Sequence, residues 1–232
     1  MKSDLEASIP TKVSQLENDV PYVVDNTLPA NGLYIYDING NFTLPDNWNT
    51  SNNIKAVGVA ILTDDCRFVV AKEDISTIHW GGYGTDISTL TNYTSDTDAA
   101  TDFDGVNNTA KIIAAIGNSN DGYRGGTVAG DCAAYTFPNG KTGYLGAAGE
   151  WQLARSYKDE LNSALELIGG TKMAEGGYWT STEYSNNRAW TQGFGSNSYL
   201  DYYRKDRNYH YVRAFLAIEV SKPLKEKVSE LE

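Results

Sequence analysis

The stretch at residues 177–213, GYWTSTEYSNNRAWTQGFGSNSYLDYYRKDRNYHYVR, carries the most information about this chain of 232 residues. It holds seven of the sixteen tyrosines and two of the five tryptophans, crowded together with serine, asparagine and charged residues. Tyrosine supplies a large amphipathic contact area at small entropic cost, while serine and asparagine supply adaptable hydrogen bonds. The composition therefore indicates a binding surface. The alternative is an extracellular type of β-domain with a tyrosine-rich sheet.

Strands are predicted on both sides of this stretch. An Asn39-Gly40 turn between apolar and aromatic residues predicts a β-hairpin. Two apolar runs, residues 56–61 and 68–71, predict a pair of buried strands. Residues 212–220 alternate between apolar and mixed positions, which predicts a last strand with one apolar face.

Two helices are predicted in the middle of the chain. Residues 109–116 form a short apolar segment that Gly117 ends, with Asn107 or Asn108 as the N-cap. A longer amphipathic stripe with steps of three and four residues covers residues 150–168. The order of strands, two helices and a terminal sheet predicts an α+β fold and excludes an alternating parallel one.

The charge of the chain argues against nucleic acid as a partner. The formal net charge is −11 and the isoelectric point is about 4.6, whereas phosphate binding needs a basic surface. The tyrosine-rich stretch is a local exception, and we interpret it as a mixed-charge recognition patch. Its basic residues are Arg188, Arg204, Lys205, Arg207 and Arg213, against Asp201 and Asp206.

The sequence lacks the motifs of common catalytic and metal sites. No apolar run is long enough for a transmembrane helix, and no secretory signal is predicted. Cys66 and Cys132 are expected to be buried free thiols, with pairing to each other as the alternative. No nucleotide-binding loop or nucleophile elbow is present, and the two histidines are His79 and His210. We therefore expect no cofactor and no catalysis, although paired carboxylates acting on glycans stay open as an alternative.

Clusters of Asp and Asn residues could form metal-binding loops in two places. The hairpin turn lacks the glutamate that completes a calcium loop, so we interpret it as a turn. The second place is a polar loop in which capping and solvation of the carboxylates are the expected roles. Its carboxylates are Asp96, Asp98, Asp102 and Asp104.

Several short motifs resemble a known family. GYWTSTEY from Gly177, RAW from Arg188 and YVRAF from Tyr211 look like the C-terminal half of C-type-lectin-like domains of bacterial and phage adhesion proteins. TAKII from Thr109 resembles the first helix of these domains, and GEW from Gly149 resembles the start of the second. The similarity covers residues 56–220. It implies a C-type-lectin-like fold with two helices and a small antiparallel sheet, preceded by a short N-terminal β and stem region.

Some members of this family are diversified by retroelements, so the resemblance implies a variable ligand-binding surface. Trp179, Trp190, Val212 and Phe215 would be framework, and Tyr202 and Tyr203 would be aromatic anchors. The variable and ligand-facing positions would be Asn187, Arg188, Thr191, Ser198, Tyr199, Asp201, Tyr202, Tyr203, Arg204, Asp206, Arg207, Asn208 and His210. The motifs of calcium-dependent sugar lectins and the cysteine pair of formylglycine-generating enzymes have no counterpart here.

The amino-terminal sequence IPTKVSQLEND from Ile9 looks like a linker common in phage tail fibres. We therefore expect four parts: a stem or linker at residues 1–21, a β-hairpin region at 22–55, a ligand-binding domain at 56–220 and a charged amphipathic tail at 221–232. Short apolar stripes near both ends favour a homo-oligomer such as a trimer.

Together these patterns predict a non-catalytic adhesion protein of a virion tail fibre. Its partner would be a bacterial cell-surface protein or glycan, bound without membrane insertion and through several copies at once. The alternatives are a bacterial cell-surface or pilus adhesin, an enzyme acting on surface glycans, and a structural fibre spacer.

Overall fold

Two β-sheets, five α-helices and one short 3-10 helix (Pro45–Asn47) form the regular structure of the part of the chain that the structure describes. The structure is a computed structural model, and it describes residues 28–51, 54–64, 66–77, 79–117, 128–196, 199–207 and 210–218. The predicted stem at residues 1–21 and the predicted tail at residues 221–232 lie outside these ranges. The α+β class predicted from the sequence is confirmed.

Eleven strands are found in the described ranges. They are β1 (Gly32–Asp37), β2 (Phe42–Thr43), β3 (Ala56–Leu62), β4 (Arg67–Ala71), β5 (Ser76–Thr77), β6 (Tyr144–Leu145), β7 (Gly177–Ser185), β8 (Arg188–Gly193), β9 (Leu200–Arg204), β10 (Tyr211–Val212) and β11 (Ala214–Ala217). The first sheet is antiparallel, in the order β2-β1-β3-β4-β11-β6. The second has the order β5-β10-β7-β8-β9, and its β10–β7 pair is parallel.

The predicted hairpin is confirmed between β1 and β2. Gly40 has a φ of 86°, a conformation that glycine adopts at no steric cost, and its N–H donates to the carbonyl of Asp37. The Asp37 carboxylate also accepts hydrogen bonds from the backbone N–H groups of Asn39 and Asn41. The Asp37 carboxylate therefore stabilises the turn through these hydrogen bonds.

The centre of the first sheet is buried on both faces, since β3 is buried at every position and β4 at every position after Arg67. Alternate side chains enter two different cores, as the twofold period of a strand requires. Val59 and Ile61 pack in a core shared with two helices, α4 (Ala148–Ser156) and α5 (Lys158–Leu167). Ala60 and Leu62 pack in the core that also contains Ile112.

The helix prediction is partly wrong, because five helices are described where two were expected. The remaining three are α1 (Asp96–Ala99), α2 (Gly105–Ile116) and α3 (Val128–Ala134). Helices as short as α1 and α3 span too few turns for a helical period to show in the sequence. The helix predicted at residues 150–168 is two helices, since Tyr157 has non-helical angles of −98° and 20° between α4 and α5.

The first predicted helix is confirmed in α2, but it begins four residues earlier than expected, at Gly105. Its N-cap is Asp104, so the proposed Asn107 and Asn108 caps are wrong. Asn108 is buried and donates from Nδ2 to the carboxylate of Asp102 at 2.9 Å. This hydrogen bond ties the first turn of α2 to Asp102, which lies just before the helix.

The predicted last strand is divided at Arg213, where the chain passes from the second sheet to the first. The Arg213 side chain is fully buried, and its Nε lies 2.6 Å from Oδ1 of Asp74. The other guanidinium nitrogens donate to the carbonyl and hydroxyl oxygens of Thr171 and to the carbonyl of Lys172. Tyr178 also donates to Asp74. A hydrogen-bonded ion pair thus fixes the point where the two sheets share one segment of chain.

Glu150 is a buried acid at the start of α4. Its Oε2 accepts from the backbone N–H of Ala147 at 2.7 Å, and its Oε1 accepts from the hydroxyl of Tyr144 at 2.8 Å. Burial raises the pKa of Glu150 from 4.5 to about 8, although both hydrogen bonds act to lower it. The buried site therefore favours the protonated acid up to neutral pH.

This pKa predicts a pH-dependent stability. The folded state binds more protons than the unfolded state between about pH 4.5 and pH 8, so the free energy of unfolding falls as the pH rises through this window. The slope reaches about 1.4 kcal/mol for each pH unit. Urea unfolding across the window should show this fall for the native chain, and Glu150→Gln should lack most of it.

The matched control is Glu166→Gln, which removes an exposed carboxylate that pairs with Lys172. This variant should keep the pH dependence of the native chain. An unchanged pH slope in Glu150→Gln would contradict the assignment of the raised pKa to Glu150.

Candidate functional site

Three antiparallel strands, β7, β8 and β9, carry most of the tyrosine-rich stretch. The register places Trp179 opposite Thr191 and Thr191 opposite Asp201, while Trp190 lies opposite Tyr202. Directly opposite residues share a face, and neighbours along a strand take opposite faces. The predicted binding residues are therefore divided between two faces of one sheet.

One face holds a cavity of about 230 Å³ near the junction of β8 and β9. Aromatic rings, glycine backbone and a few polar groups surround it. Its described lining residues include no lysine or arginine. The residues that line it are Gly176, Gly177, Thr191, Gly193, Tyr199, Asp201, Tyr203 and His210.

His210 forms the floor of this cavity. Its ring is buried and lies between Trp179 and Tyr203, with ring centroids 4.6 Å and 4.5 Å away. A Cβ atom on Gly177 would come within 2.6 Å of the imidazole Nδ1, so a glycine is required beside the ring. Burial lowers the pKa of His210 to about 4, against the raising effects of the Gly177 backbone and Asp201. The floor is consequently uncharged at neutral pH.

Polar groups stand on the wall formed by β8 and β9. The Thr191 hydroxyl donates to the carbonyl of Asp201 at 3.2 Å. The Asp201 side chain accepts the N–H of Tyr202 through Oδ1 at 2.8 Å, which occupies one of its two carboxylate oxygens. Tyr199 is 72% exposed at the edge of the cavity. A ligand would therefore meet two tyrosine rings, a hydroxyl and a carboxylate.

The opposite face carries a packed aromatic cluster around Tyr202. Its ring stacks on Tyr184 with centroids 4.0 Å apart and meets Trp190 edge-on at 5.4 Å. The Arg188 guanidinium lies 5.2 Å from the Tyr202 centroid, and Trp190 Nε1 donates to the carbonyl of Tyr93. Tyr202 is part of the packing there. Tyr202 and Tyr203, the two expected anchors, lie on opposite faces of the sheet, and only Tyr203 lines the cavity.

The basic residues of the predicted patch have different environments. Lys205 and Arg213 are buried and ion-paired, so the interpretation of both as surface charges is wrong. Arg204 is exposed, contacts both carboxylate oxygens of Asp206 and lies 4.8 Å from the ring centroid of Tyr83. The exposed positive charge of the stretch is thus smaller than its sequence suggests.

Lys205 attaches the turn after β9 to the interior of the fold through its buried side chain. Its Nζ pairs with Oε1 of Glu183 and donates to the carbonyl of Thr85, and it lies 4.6 Å from the ring centroid of Trp80. Both charged side chains are fully buried. Burial raises the pKa of Glu183 and lowers that of Lys205, and the attraction between the two charges opposes both shifts. Glu183 also accepts the backbone N–H of Ile87, so the pair secures the segment after Trp80 as well.

The structure brings together five of the thirteen predicted binding residues. Thr191, Tyr199, Asp201, Tyr203 and His210 line the cavity. The predicted residues away from it are Arg188 and Tyr202 on the opposite face, Asn187 in the β7–β8 turn, and Arg204, Asp206 and Arg207 at the end of β9 and in the turn after it. Ser198 and Asn208 lie outside the described residues.

Three glycines of the cavity were missed from the sequence. Gly176, Gly177 and Gly193 expose backbone to the cavity, and only the Gly176-Gly177 pair gave a sequence signal. Glycine pairs more often mark turns, so this signal does not distinguish a cavity wall from a loop.

The described ranges also bear on metal binding and on membrane insertion. No cluster of three or more His, Cys, Asp or Glu side chains that could hold a metal ion occurs in them. No helix in these ranges is long and apolar enough to cross a membrane. Cys132 is fully buried, as expected, and burial raises the pKa of its thiol, whereas Cys66 is only partly buried.

Comparisons of the chain with protein-family models, curated proteins and solved structures find no match.

Removing one partner of the buried ion pair should be costly. Lys205→Met leaves the Glu183 carboxylate buried without its cation, so we expect the free energy of unfolding to fall by about 3–5 kcal/mol. The double variant Lys205→Met, Glu183→Gln removes both charges and should recover a large part of this loss. Urea unfolding at neutral pH measures both effects.

The control is Lys111→Met, since Lys111 is partly exposed and lies 3.6 Å from Asp104 at the surface. Its cost should stay within about 1 kcal/mol. A cost for Lys205→Met no larger than that of the control would contradict the structural role of the pair.

Proposed function

We propose that this chain is a non-catalytic receptor-binding protein of a phage tail fibre, in which a C-type-lectin-like scaffold presents the β8–β9 cavity to a receptor on a bacterial surface. The observation that carries the proposal is the cavity itself. It combines exposed tyrosine, a carboxylate, a hydroxyl and glycine backbone in one concave site. Rigid aromatic anchors beside adaptable polar groups are characteristic of protein recognition surfaces.

The packing beneath the cavity supports a display function. Tyr202, Tyr184 and Trp190 fill the far side of the same strands, and the Lys205–Glu183 pair anchors the turn after β9. None of these contacts uses the side chains of the cavity wall. Substitutions of Tyr199 or Asp201 therefore leave these contacts in place, whereas Tyr203 and His210 also pack against the sheet.

The burial of the motif residues supports the C-type-lectin-like part of the proposal. Trp179, Trp190, Val212 and Phe215 are at most 2% exposed, as the framework role that the resemblance implies requires. They lie in β7, β8, β10 and β11, so the motifs that resemble the family fall on the strands of both sheets.

The environment of His210 supports a binding function over catalysis. A general base works best when its pKa lies near the operating pH. Burial lowers the pKa of His210 to about 4, which makes it a weak base at neutral pH. Its ring is also enclosed by Trp179 and Tyr203, so it serves as part of an aromatic surface.

Binding to whole bacteria tests the proposal. The fluorescently labelled full chain is applied to a panel of bacterial strains, and cell-bound fluorescence is measured by flow cytometry. We expect saturable binding to a subset of strains. Tyr199→Ala and Tyr203→Ala should each weaken that binding about tenfold or more, because interface tyrosines commonly carry a large share of binding energy.

Phe103→Ala is the matched control, since Phe103 is an aromatic residue 39% exposed that does not line the cavity. It should bind as the native chain does. Circular dichroism checks that every variant is folded. Undiminished binding of the folded Tyr199 and Tyr203 variants would refute the site, and absence of binding to any strain would refute host-surface recognition.

A further inference from the structure

We infer that the β8–β9 cavity receives a cationic side chain, arginine or lysine, of a protein receptor. The inference rests on the proposed receptor-binding function and names the chemical class of group that the cavity takes. It follows from the size, the charge and the aromatic character of the cavity.

The size of the cavity limits what can enter it. Pockets for drug-sized ligands have volumes of about 300–1,000 Å³. A cavity of about 230 Å³ is smaller, so it accommodates one side chain or one small ring of a larger partner. The rest of the partner would lie across the strands outside.

The charge of the cavity is negative. Asp201 is its only acidic side chain among the described lining residues, and no lysine or arginine lines it. One carboxylate oxygen is used by the N–H of Tyr202, and the described hydrogen bonds leave Oδ2 for a ligand. Covering this carboxylate with a neutral group costs free energy unless hydrogen bonds replace its water. A guanidinium or ammonium group replaces that water and also supplies the opposite charge.

The rings around Asp201 favour the same kind of ligand. Tyr199 and Tyr203 present two phenol rings to the cavity, and His210 adds an uncharged ring below. Cations are attracted to the faces of aromatic rings, the more so where water is excluded. A carboxylate beside tyrosine rings therefore stabilises a cation by two mechanisms at one place.

The charges around the cavity also favour a cationic ligand. Four basic residues of the tyrosine-rich stretch have partners other than Asp201: Arg188 contacts Tyr202 on the opposite face, and Arg204, Lys205 and Arg213 pair with Asp206, Glu183 and Asp74. The whole chain has a formal net charge of −11, which steers basic partners toward it.

The test is an NMR titration of the ¹⁵N-labelled full chain with three small probes. N-acetyl-arginine methylamide carries the cation, N-acetyl-citrulline methylamide is its neutral isostere, and methyl α-glucopyranoside represents a sugar. The backbone amides of Gly177, Gly193 and Tyr203 report on the cavity. We expect saturable shifts with the arginine probe and at least about tenfold weaker binding of the citrulline probe.

Asp201→Asn supplies the second arm, because it removes the charge and keeps an oxygen that can accept from Tyr202. We expect about tenfold weaker binding of the arginine probe. Glu166→Gln removes one negative charge from α5, away from the cavity lining, and should bind like the native chain.

Equal binding of the arginine and citrulline probes would overturn the inference, as would binding of the glucoside alone or no binding of the arginine probe. In those cases, loss of cell binding by Tyr199→Ala still supports receptor recognition through this site. If Tyr199→Ala and Tyr203→Ala also keep their cell binding, the proposed function fails together with the inference.

Discussion

Lys205 and Glu183 form an ion pair from which water is excluded, and three segments of the chain depend on it. Glu183 lies in β7, Lys205 begins the turn after β9, and the contacts to Thr85 and Ile87 secure the segment that follows Trp80. Burying two charges is expensive, and the attraction between them together with the hydrogen bonds to Thr85 and Ile87 offsets that cost. The ion pair and its hydrogen bonds to Thr85 and Ile87 can form only when the end of β9 is in this position. They therefore hold the end of β9 in place next to the candidate binding surface.

This constraint helps to fix which side chains of β9 lie on each face of the sheet. The Tyr184–Tyr202–Trp190 cluster fills the packed face, whereas Tyr203 and Asp201 stand on the face with the cavity. The Arg213–Asp74 pair performs a comparable task at the transition between the two sheets. Lys205 and Arg213, two basic residues of the tyrosine-rich stretch, thus form ion pairs inside the fold that hold the strands in place.

Sequence patterns were sufficient where a local rule applies. The Asn39-Gly40 hairpin, the apolar runs of β3 and β4, and the end of α2 at Gly117 all follow from the chemistry of one short segment. Tyr202 and Tyr203 take opposite faces because neighbours in a strand alternate, and this division was missed because residues 200–204 were not identified as one strand. Burial of Lys205 was not predictable either, since its partner lies 22 residues away in sequence.

The central claim is that packed framework residues fix the sheet while Tyr199 and Asp201, beside the cavity, contribute little to that packing and can contact a ligand. A display library tests it most directly, with Tyr199 and Asp201 randomised together and protease resistance measured for each clone. A second library randomises Trp179, Glu183 and Lys205. The account predicts that most clones of the first library stay resistant and most of the second do not. Equal loss of resistance in both libraries would contradict it.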